Sequence, residues 1–173
     1  ILGEITDSIS SEVREQYEEN PYPRWVNLGF YLWPLSISKV VDEIELKLSD
    51  DKITAVKKPE ILIAGCGTGQ HSIGTAARFK SSKVLAIDLS LSSLAYAKRK
   101  TTELGFANIK YMQADILDLS QLNTRFDIIE SVGVLHHMDN PIAGWKVLTD
   151  CLRPGGLMRI GLYSEIARHH IVE

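Results

Sequence analysis

A short apolar run at residues 61–64 passes directly into three glycines at alternate positions, Gly65, Gly67 and Gly69. Such a run predicts a strand covered on both faces, because a strand without a solvent side cannot alternate polar and apolar residues. The glycines permit a sharp turn and a close approach of a ligand, and the next residues would begin a helix with unpaired N–H donors. Gln70 stands where a dinucleotide fingerprint needs its third glycine, so this motif alone leaves a purely structural turn as an alternative.

Strand-like and helix-like segments alternate along the rest of the chain. The predicted strands are residues 61–64, 84–87, 109–112, 126–131 and 157–163. The predicted helices are residues 70–79, a segment from a cap at Ser90 or Ser92 to Gly105, and a segment from a cap at Asn140 to a turn at 153–156. This alternation predicts an α/β, Rossmann-like doubly wound sheet, mostly parallel, with helices on both faces. Ligands of such sheets bind beyond the carboxyl ends of the strands.

Residues 1–55 are predicted to form a helical, aromatic preface to a main domain at residues 56–173. An apolar residue recurs at every fourth position near the start, which predicts an amphipathic helix capped by Ser8 or Ser10. The residues of this apolar face are Ile5, Ile9, Val13 and Tyr17. Pro21 and Pro23 end that helix. A second helix is predicted to begin at a cap on Ser36 or Ser38 and to carry apolar positions 40, 41, 44 and 48.

Composition restricts the classes of partner. The net charge of −3 and the short basic clusters favour solvated faces over a nucleic-acid surface. Two cysteines without a secretory leader predict a reducing cytoplasm, and neither a zinc-ligand spacing nor an apolar stretch long enough for a membrane is present. We therefore expect a cytoplasmic protein without a metal site.

Two acidic residues stand at predicted strand ends. Asp88 follows Gly69 by 19 residues, the position from which a carboxylate accepts hydrogen bonds from ribose hydroxyls, although it could instead cap the next helix. Asp115 could accept a hydrogen bond from an adenine amino group, or could simply form a turn. Two carboxylates beside a glycine turn favour a nucleoside ligand.

Taken together, several short motifs resemble class I S-adenosylmethionine-dependent methyltransferases in order and spacing, over roughly residues 59–163. These motifs are the three glycines, Asp88, Asp115, Phe126-Asp127, Val134-Leu135-His136-His137 and Leu152-Arg153-Pro154-Gly155-Gly156. The resemblance implies that the amino-acid part of S-adenosylmethionine lies on the glycine loop, the ribose at Asp88, and the adenine at Asp115 and Ile116. The cofactor-binding residues that it implies are Gly65, Cys66, Gly67, Thr68, Gly69, Asp88, Leu89, Asp115, Ile116 and Ser131.

Under the same resemblance, residues 131–137 would line the methionine end of the cofactor and the acceptor pocket. His137, or His136 beside it, is the nearest candidate base for an acceptor that must lose a proton. The alternative is that one histidine packs below the pocket and the other caps a segment or faces solvent. Tyr17, Tyr22 and Trp25 either form a lid, with Arg24 on the cofactor carboxylate, or anchor the preface to the sheet.

A narrower set of motifs resembles the methyltransferase domain found behind tetratricopeptide repeats in bacterial proteins. Its segments are residues 16–25, 86–90 and 161–164. The family's sheet usually ends in two further strands, which this chain lacks, so we expect a flanking domain or a second copy to cover the open sheet edge. The expected function is methyl transfer to an unidentified acceptor; the alternatives are a non-catalytic cofactor-binding module and a nicotinamide-dependent oxidoreductase.

Overall fold

The computed structural model describes residues 1–29 and 33–163 and contains one five-stranded sheet. The strands are β1 (Glu60–Ala64), β2 (Lys83–Asp88), β3 (Ile109–Gln113), β4 (Phe126–Val132) and β5 (Leu152–Gly161). They lie in the order β3-β2-β1-β4-β5, and every neighbouring pair is parallel. The predicted Rossmann-like doubly wound sheet is therefore confirmed, and the strand order reverses between β1 and β4.

Within the described residues, five α-helices and three 3-10 helices surround the sheet. The α-helices are α1 (Ser8–Glu19), α2 (Ile37–Glu43), α3 (Gln70–Arg78), α4 (Leu91–Glu103) and α5 (Pro141–Asp150). The 3-10 helices are Lys52–Ala55, Ile116–Leu122 and Leu135–His137. None of the helices in the described ranges is both long enough and apolar enough to cross a lipid bilayer.

Serine and asparagine caps begin three of the α-helices. Ser36 caps α2, Ser90 caps α4 and Asn140 caps α5, each through a side-chain oxygen that accepts a backbone N–H of the first turn. The predicted cap of α1 is wrong. Asp7 takes that position, with its carboxylate accepting the N–H of Ser10 at 2.7 Å.

The central strand β1 is covered on both faces, as its apolar sequence predicts. Ile61 and Ile63 point to the face that α2 and α3 cover, where Val40 and Val41 join the same apolar cluster. Leu62 points to the opposite face, in a cluster that includes residues of α5 and of the 3-10 helix Ile116–Leu122. Burial on both sides removes the strand from water, so its side chains supply much of the hydrophobic stabilisation.

Two predicted boundaries are wrong. The second helix ends at Glu43, and Ile44 is 53% exposed because it lies past the last helical turn. The fifth strand begins at Leu152 rather than at residue 157, with a register shift opposite β4. Arg153 holds this early part in line, because its guanidinium pairs with Asp127 at the start of β4 at 2.7 Å and also with Glu60 of β1.

The strand predicted to run to Tyr163 ends at Gly161. The two further strands of the resemblance, and residue 164 of its narrower motif, lie outside the described residues.

Candidate functional site

A cavity of about 560 Å³ opens at the carboxyl ends of the strands, beside the point where the strand order reverses. This is the place that the fold predicts for a ligand. From the main domain, its wall includes Gly65, Cys66, Gly67, Gln70, His71, Ile87, Asp88, Leu89, Asp115, Ile116, Val134, His137, Arg159 and Tyr163. From the preface, it includes Ser10, Val13, Tyr17, Tyr22 and Pro23. The preface therefore closes one side of the cavity.

The glycine loop directs its backbone N–H groups into the protein. Those of Gly65 and Cys66 both donate to the carbonyl of Ile87 at 2.9 Å, and that of Gly67 donates to Asp88 at 2.7 Å. The N–H groups of the next two residues donate to the carbonyls of Tyr22 and Cys66. A ligand can therefore approach the backbone of the loop closely. The backbone N–H groups of the loop, however, already donate within the protein.

Space also requires a glycine within this loop. A Cβ on Gly67 would lie 2.4 Å from the carbonyl oxygen of Tyr22, and its φ of 51° is left-handed. Tyr22 therefore packs directly on the loop, which fixes the preface against the cavity entrance.

Asp88 stands at the tip of β2 and lines the cavity. Its two carboxylate oxygens accept the N–H groups of Gly67 at 2.7 Å and of Ser90 at 3.0 Å. Burial raises the pKa of this carboxyl, and the backbone hydrogen bonds only partly oppose that rise. Each oxygen keeps a further lone pair, so the carboxylate can accept ligand hydroxyls while it holds the loop. Ser90 caps α4, so the helix does not need Asp88 as its cap.

Asp115 forms the predicted turn and also lines the cavity, where the sequence predicts contact with an adenine. One carboxylate oxygen accepts the N–H of Leu117 at 2.9 Å, which forms the turn after β3. The residue is buried, yet it lines the cavity beside Ile116. Leu89 also lies in the wall.

Two of the predicted cofactor residues, Thr68 and Gly69, do not line the cavity. The Thr68 hydroxyl donates to the carbonyl of Pro23 at 2.5 Å and accepts the indole N–H of Trp25 at 3.1 Å. Gly69 turns the chain into α3, and a Cβ there would meet Ala97 at 2.6 Å. Both residues position the loop rather than contact the cavity.

Ser131 and His136 also lie outside the cavity wall. Ser131 is fully buried at the end of β4. The ring of His136 packs between those of His137 and Tyr163, with centroids 4.2 Å from each. Only His137 of the two histidines lines the cavity, where Tyr17 meets its ring edge-on at 6.4 Å.

The aromatic residues of the preface divide between the two predicted roles. Tyr17 and Tyr22 line the cavity, whereas Trp25 is buried and anchored to Thr68, with its carbonyl accepting the hydroxyl of Tyr96. Arg24 does not line the cavity. Burial raises the pKa of Tyr17, and Asp88 nearby adds to that rise, so its hydroxyl stays neutral at the cavity.

Comparison with known proteins agrees with this site. A model of a methyltransferase domain family matches residues 61–156, which run from β1 through the glycine loop to the Pro-Gly-Gly segment of β5. The chain belongs to this methyltransferase domain family. The cofactor of the domain is S-adenosylmethionine.

The similar proteins share moderate sequence identity with this chain. An uncharacterized protein of Synechococcus sp. is 41% identical over 115 residues, covering 66% of this chain and 28% of that protein. Ubiquinone biosynthesis O-methyltransferase of Coxiella burnetii is 30% identical over 145 residues, which cover 84% of this chain and 58% of that protein. The methyltransferase domain therefore spans less than two thirds of either relative. The structure of PKMT2 from Rickettsia typhi in complex with AdoHcy shares the fold at a TM-score of 0.60 and 24% identity, covering 80% of this chain and 26% of that one.

The cavity of the methyltransferase domain fits this cofactor. Its volume lies within the range that small-molecule sites occupy. The carboxylates of Asp88 and Asp115 suit ribose and adenine donors, and Ile87, Ile116 and Val134 add apolar wall for the base. The residues present therefore fit the nucleoside part of this cofactor.

The sequence reasoning missed a polar cluster on the β4 side of the cavity. His71, in the first turn of α3, lines the cavity and contacts Glu130 of β4 through Nε2 at 2.8 Å. Thr75 donates to the same Glu130 oxygen at 2.6 Å. Burial raises the pKa of Glu130, but the hydrogen bond and charge of His71 outweigh it and hold the pKa below its ordinary value. The available signal was a glutamate directly after the apolar residues Ile128 and Ile129 of a predicted strand.

Arg159 of β5 is a second basic residue of the cavity wall that the sequence reasoning missed. It pairs with Glu130 in the strand register, and its charge helps to lower the pKa of that carboxyl. The groups of three or more His, Cys, Asp or Glu side chains that a metal ion needs are not found within residues 1–29 and 33–163.

Proposed function

We propose that this chain transfers the methyl group of S-adenosylmethionine to an acceptor that is not yet identified. The observation that carries the proposal is the cavity itself, which joins the glycine loop to Asp88 at the carboxyl edge of the sheet. The family match and the relatives named as methyltransferases support it.

In this reaction the residues of the chain position the two reactants and exclude water from them. When bound, S-adenosylmethionine supplies an electrophilic sulfonium methyl, so the protein needs mainly to align an acceptor with it and to exclude water. We propose that Asp88 and Leu89 hold the ribose, that Asp115 and Ile116 hold the adenine, and that residues 65–67 form the floor. Thr68, Gly69 and Ser131 would support this arrangement from behind the wall.

Tyr17 and Tyr22 are proposed to close the preface side and keep water from the methyl group. Where the acceptor must lose a proton, His137 is the candidate base of the predicted pair, because it lines the cavity and His136 does not. His136 would then orient the ring of His137 by packing on it.

We further propose that the domain is part of a longer, cytoplasmic protein, as the likeness to domains behind tetratricopeptide repeats implies. Its relatives extend well beyond the matched segment, which supports this proposal. Among the described strands, β5 pairs only with β4, so a flanking domain or a second copy is the proposed cover for its outer edge.

Calorimetric titration with S-adenosylhomocysteine, with NADH as a parallel ligand, tests the cofactor assignment. The wild type should bind the first and not the second. Asp88→Ala should weaken S-adenosylhomocysteine binding at least tenfold, because a charge-assisted contact to the ribose is lost. Asp118→Asn, which removes a carboxylate of the Ile116–Leu122 helix that does not line the cavity, is the matched control and should bind as the wild type does. Unchanged affinity in Asp88→Ala would overturn the proposed cofactor position, and binding of NADH alone would favour the oxidoreductase.

A further inference from the structure

The charges on the cavity wall are unevenly distributed. Asp88 and Asp115 stand at the tips of β2 and β3, on one side of β1. Arg159 and His71 lie toward β4 and β5, on the other side of β1. Adjacent strands are about 4.8 Å apart, so groups on opposite sides of β1 are separated by several ångströms. A ligand that lies across β1 would therefore meet the acidic groups at one end and the basic groups at the other. A ligand that is neutral or cationic at one end and anionic at the other matches this pattern.

An anionic group needs donors that the glycine loop does not supply. Every backbone N–H from Gly65 to Gly69 already donates within the protein. The next three backbone N–H groups, at the start of α3, have no intrachain acceptor among the described residues. They belong to Gln70, His71 and Ser72. These amides carry the positive end of the helix dipole, and Gln70 and His71 line the cavity. The side chains on this side of the cavity must therefore supply the remaining recognition of an anion.

Arg159 has a guanidinium available for this purpose. It has no carboxylate within 4.0 Å in residues 1–29 and 33–163, where the other ion pairs involve different basic groups. Its nearest acidic neighbour in the sheet, Glu130, already accepts hydrogen bonds from His71 and Thr75. Arg159 is exposed at the cavity wall, so its planar fork can pair with a carboxylate of a ligand.

His71, which lines the same cavity, is held in a fixed orientation. Glu130 accepts from Nε2 of the imidazole at 2.8 Å. This contact fixes the imidazole, and the backbone N–H of His71, which has no intrachain acceptor among the described residues, is the donor that this residue offers to an anion. Glu130 is itself fixed by Thr75 at 2.6 Å, so the imidazole is preorganised.

From these contacts we propose that Arg159 and His71 form a carboxylate-binding subsite on the β4–β5 side of the cavity. The inference rests on the cofactor-binding part of the proposed function. Two sources could supply the carboxylate: the amino-acid end of S-adenosylmethionine, or an acceptor that carries an acid group. Arg159 takes the role that the sequence reasoning gave to Arg24, which does not line the cavity.

The first experiment compares two ligands that differ in the amino-acid group. S-Adenosylhomocysteine carries the carboxylate, and 5′-methylthioadenosine keeps the nucleoside and sulfur without it. Both are titrated into the wild type, Arg159→Gln, Arg159→Lys and the control Arg125→Gln, which removes an exposed arginine before β4. If the carboxylate of the cofactor fills the subsite, Arg159→Gln lowers the affinity for S-adenosylhomocysteine at least tenfold. The affinity for 5′-methylthioadenosine stays within twofold of the wild-type value. Arg159→Lys should fall between, because it keeps the charge and loses the fork.

The second experiment detects an acceptor carboxylate. Malonate is titrated into the protein saturated with S-adenosylhomocysteine, and amide NMR shifts of residues 70–72 are followed. If an acceptor fills the subsite, Arg159→Gln leaves S-adenosylhomocysteine affinity intact and removes the malonate-dependent shifts that the wild type shows. Equal behaviour of the wild type and Arg159→Gln in both experiments, with equal melting temperatures, overturns the subsite. Failure of the wild type to bind S-adenosylhomocysteine contradicts the proposed function itself, and the wild-type titration alone reveals it.

Discussion

At the scale of single residues, the three glycines of the loop serve different purposes. Gly65 and Gly67 contribute backbone to the cavity wall, whereas Gly69 allows the turn before α3 to approach Ala97 of α4. The distinction matters because alternating glycines suggest ligand contact at every position. Here the last of them is required by the neighbouring helix, as the position of Ala97 shows.

Gly69→Ala should destabilise the fold by about 2 kcal/mol, because the new Cβ meets Ala97 at 2.6 Å and φ is 87°. Gly74→Ala is the matched control: it lies within α3, nothing stands within 4 Å of its Cβ, and it should stabilise by about 0.5–1 kcal/mol. Urea unfolding followed by circular dichroism measures both. Equal stability of the two variants would show that α3 shifts to admit the methyl group.

Sequence reasoning at this scale identified the carboxylates and missed the basic groups. Asp88 and Asp115 stand at or just after the ends of segments that the sequence predicts as strands, so their position could be predicted from local pattern. Arg159 and His71 reach the cavity because β5 and α3 converge there, and such nonlocal approach leaves no local signal. Thr68 sits inside the glycine motif but points to Trp25 of the preface, which a motif reading does not reveal.

At the scale of elements, α1 is joined to the start of α4 by one carboxylate. Glu18 accepts the N–H groups of Leu91 at 2.6 Å and Ser92 at 2.9 Å, and also the Ser92 hydroxyl. The hydroxyl of Ser90 donates to the carbonyl of Tyr17. These contacts hold the end of α1, with Tyr17, against the loop that carries Asp88.

Glu18→Gln should lower stability at neutral pH by about 1 kcal/mol, because a charged acceptor at a helix N-terminus is lost. Burial raises the pKa of Glu18, but hydrogen bonds from Ser92 and Leu91 outweigh it and hold the pKa below its ordinary value of 4.5. A depressed carboxyl pKa stabilises the fold above the unfolded-state value and ceases to do so as pH falls through the folded-state value.

Differential scanning fluorimetry at pH 7 and at pH values below 4.5 measures this effect. The melting temperature of Glu18→Gln should lie roughly 2–4 °C below the wild type at pH 7, and the gap should close at low pH. Glu15→Gln, which changes an exposed carboxylate on the same helix, should follow the wild type throughout. A gap that persists unchanged in acid would contradict the assigned role of the charge.

Element types were predictable here, and some of their ends were not. Caps such as Ser36, Ser90 and Asn140 act through their own side chains on the next turn, so local sequence determines them. The start of β5 depends on Arg153 reaching Asp127 and Glu60 on two other strands. A boundary set by partners distant in sequence is not encoded in the segment itself.

At the scale of the whole molecule, the predicted division at residue 55 does not correspond to a separation of cores. Ile37, Val40 and Val41 of α2 share one apolar cluster with Ile61 and Ile63 of β1. At the other end of the preface, the N–H of residue 2 donates to the carbonyl of Gln113 at 2.9 Å. Periodicity revealed the strands of the sheet, but the packing of the preface on it depends on tertiary contacts alone.

We therefore expect the preface and the main domain to unfold in one transition. In the double variant Trp33→Phe/Trp145→Phe, tryptophan fluorescence comes from Trp25, which is buried in the preface contact with Thr68. Far-UV circular dichroism reports the helices and strands of the whole chain, most of which lie in the main domain. The urea midpoints of the two signals should coincide, because unfolding of either part exposes the apolar cluster that both share. The single variant Trp145→Phe, which retains exposed Trp33, controls for the substitutions. A fluorescence midpoint at lower urea would instead show that the preface opens alone, and it would make Tyr17 and Tyr22 a cover that leaves the cavity before the sheet unfolds.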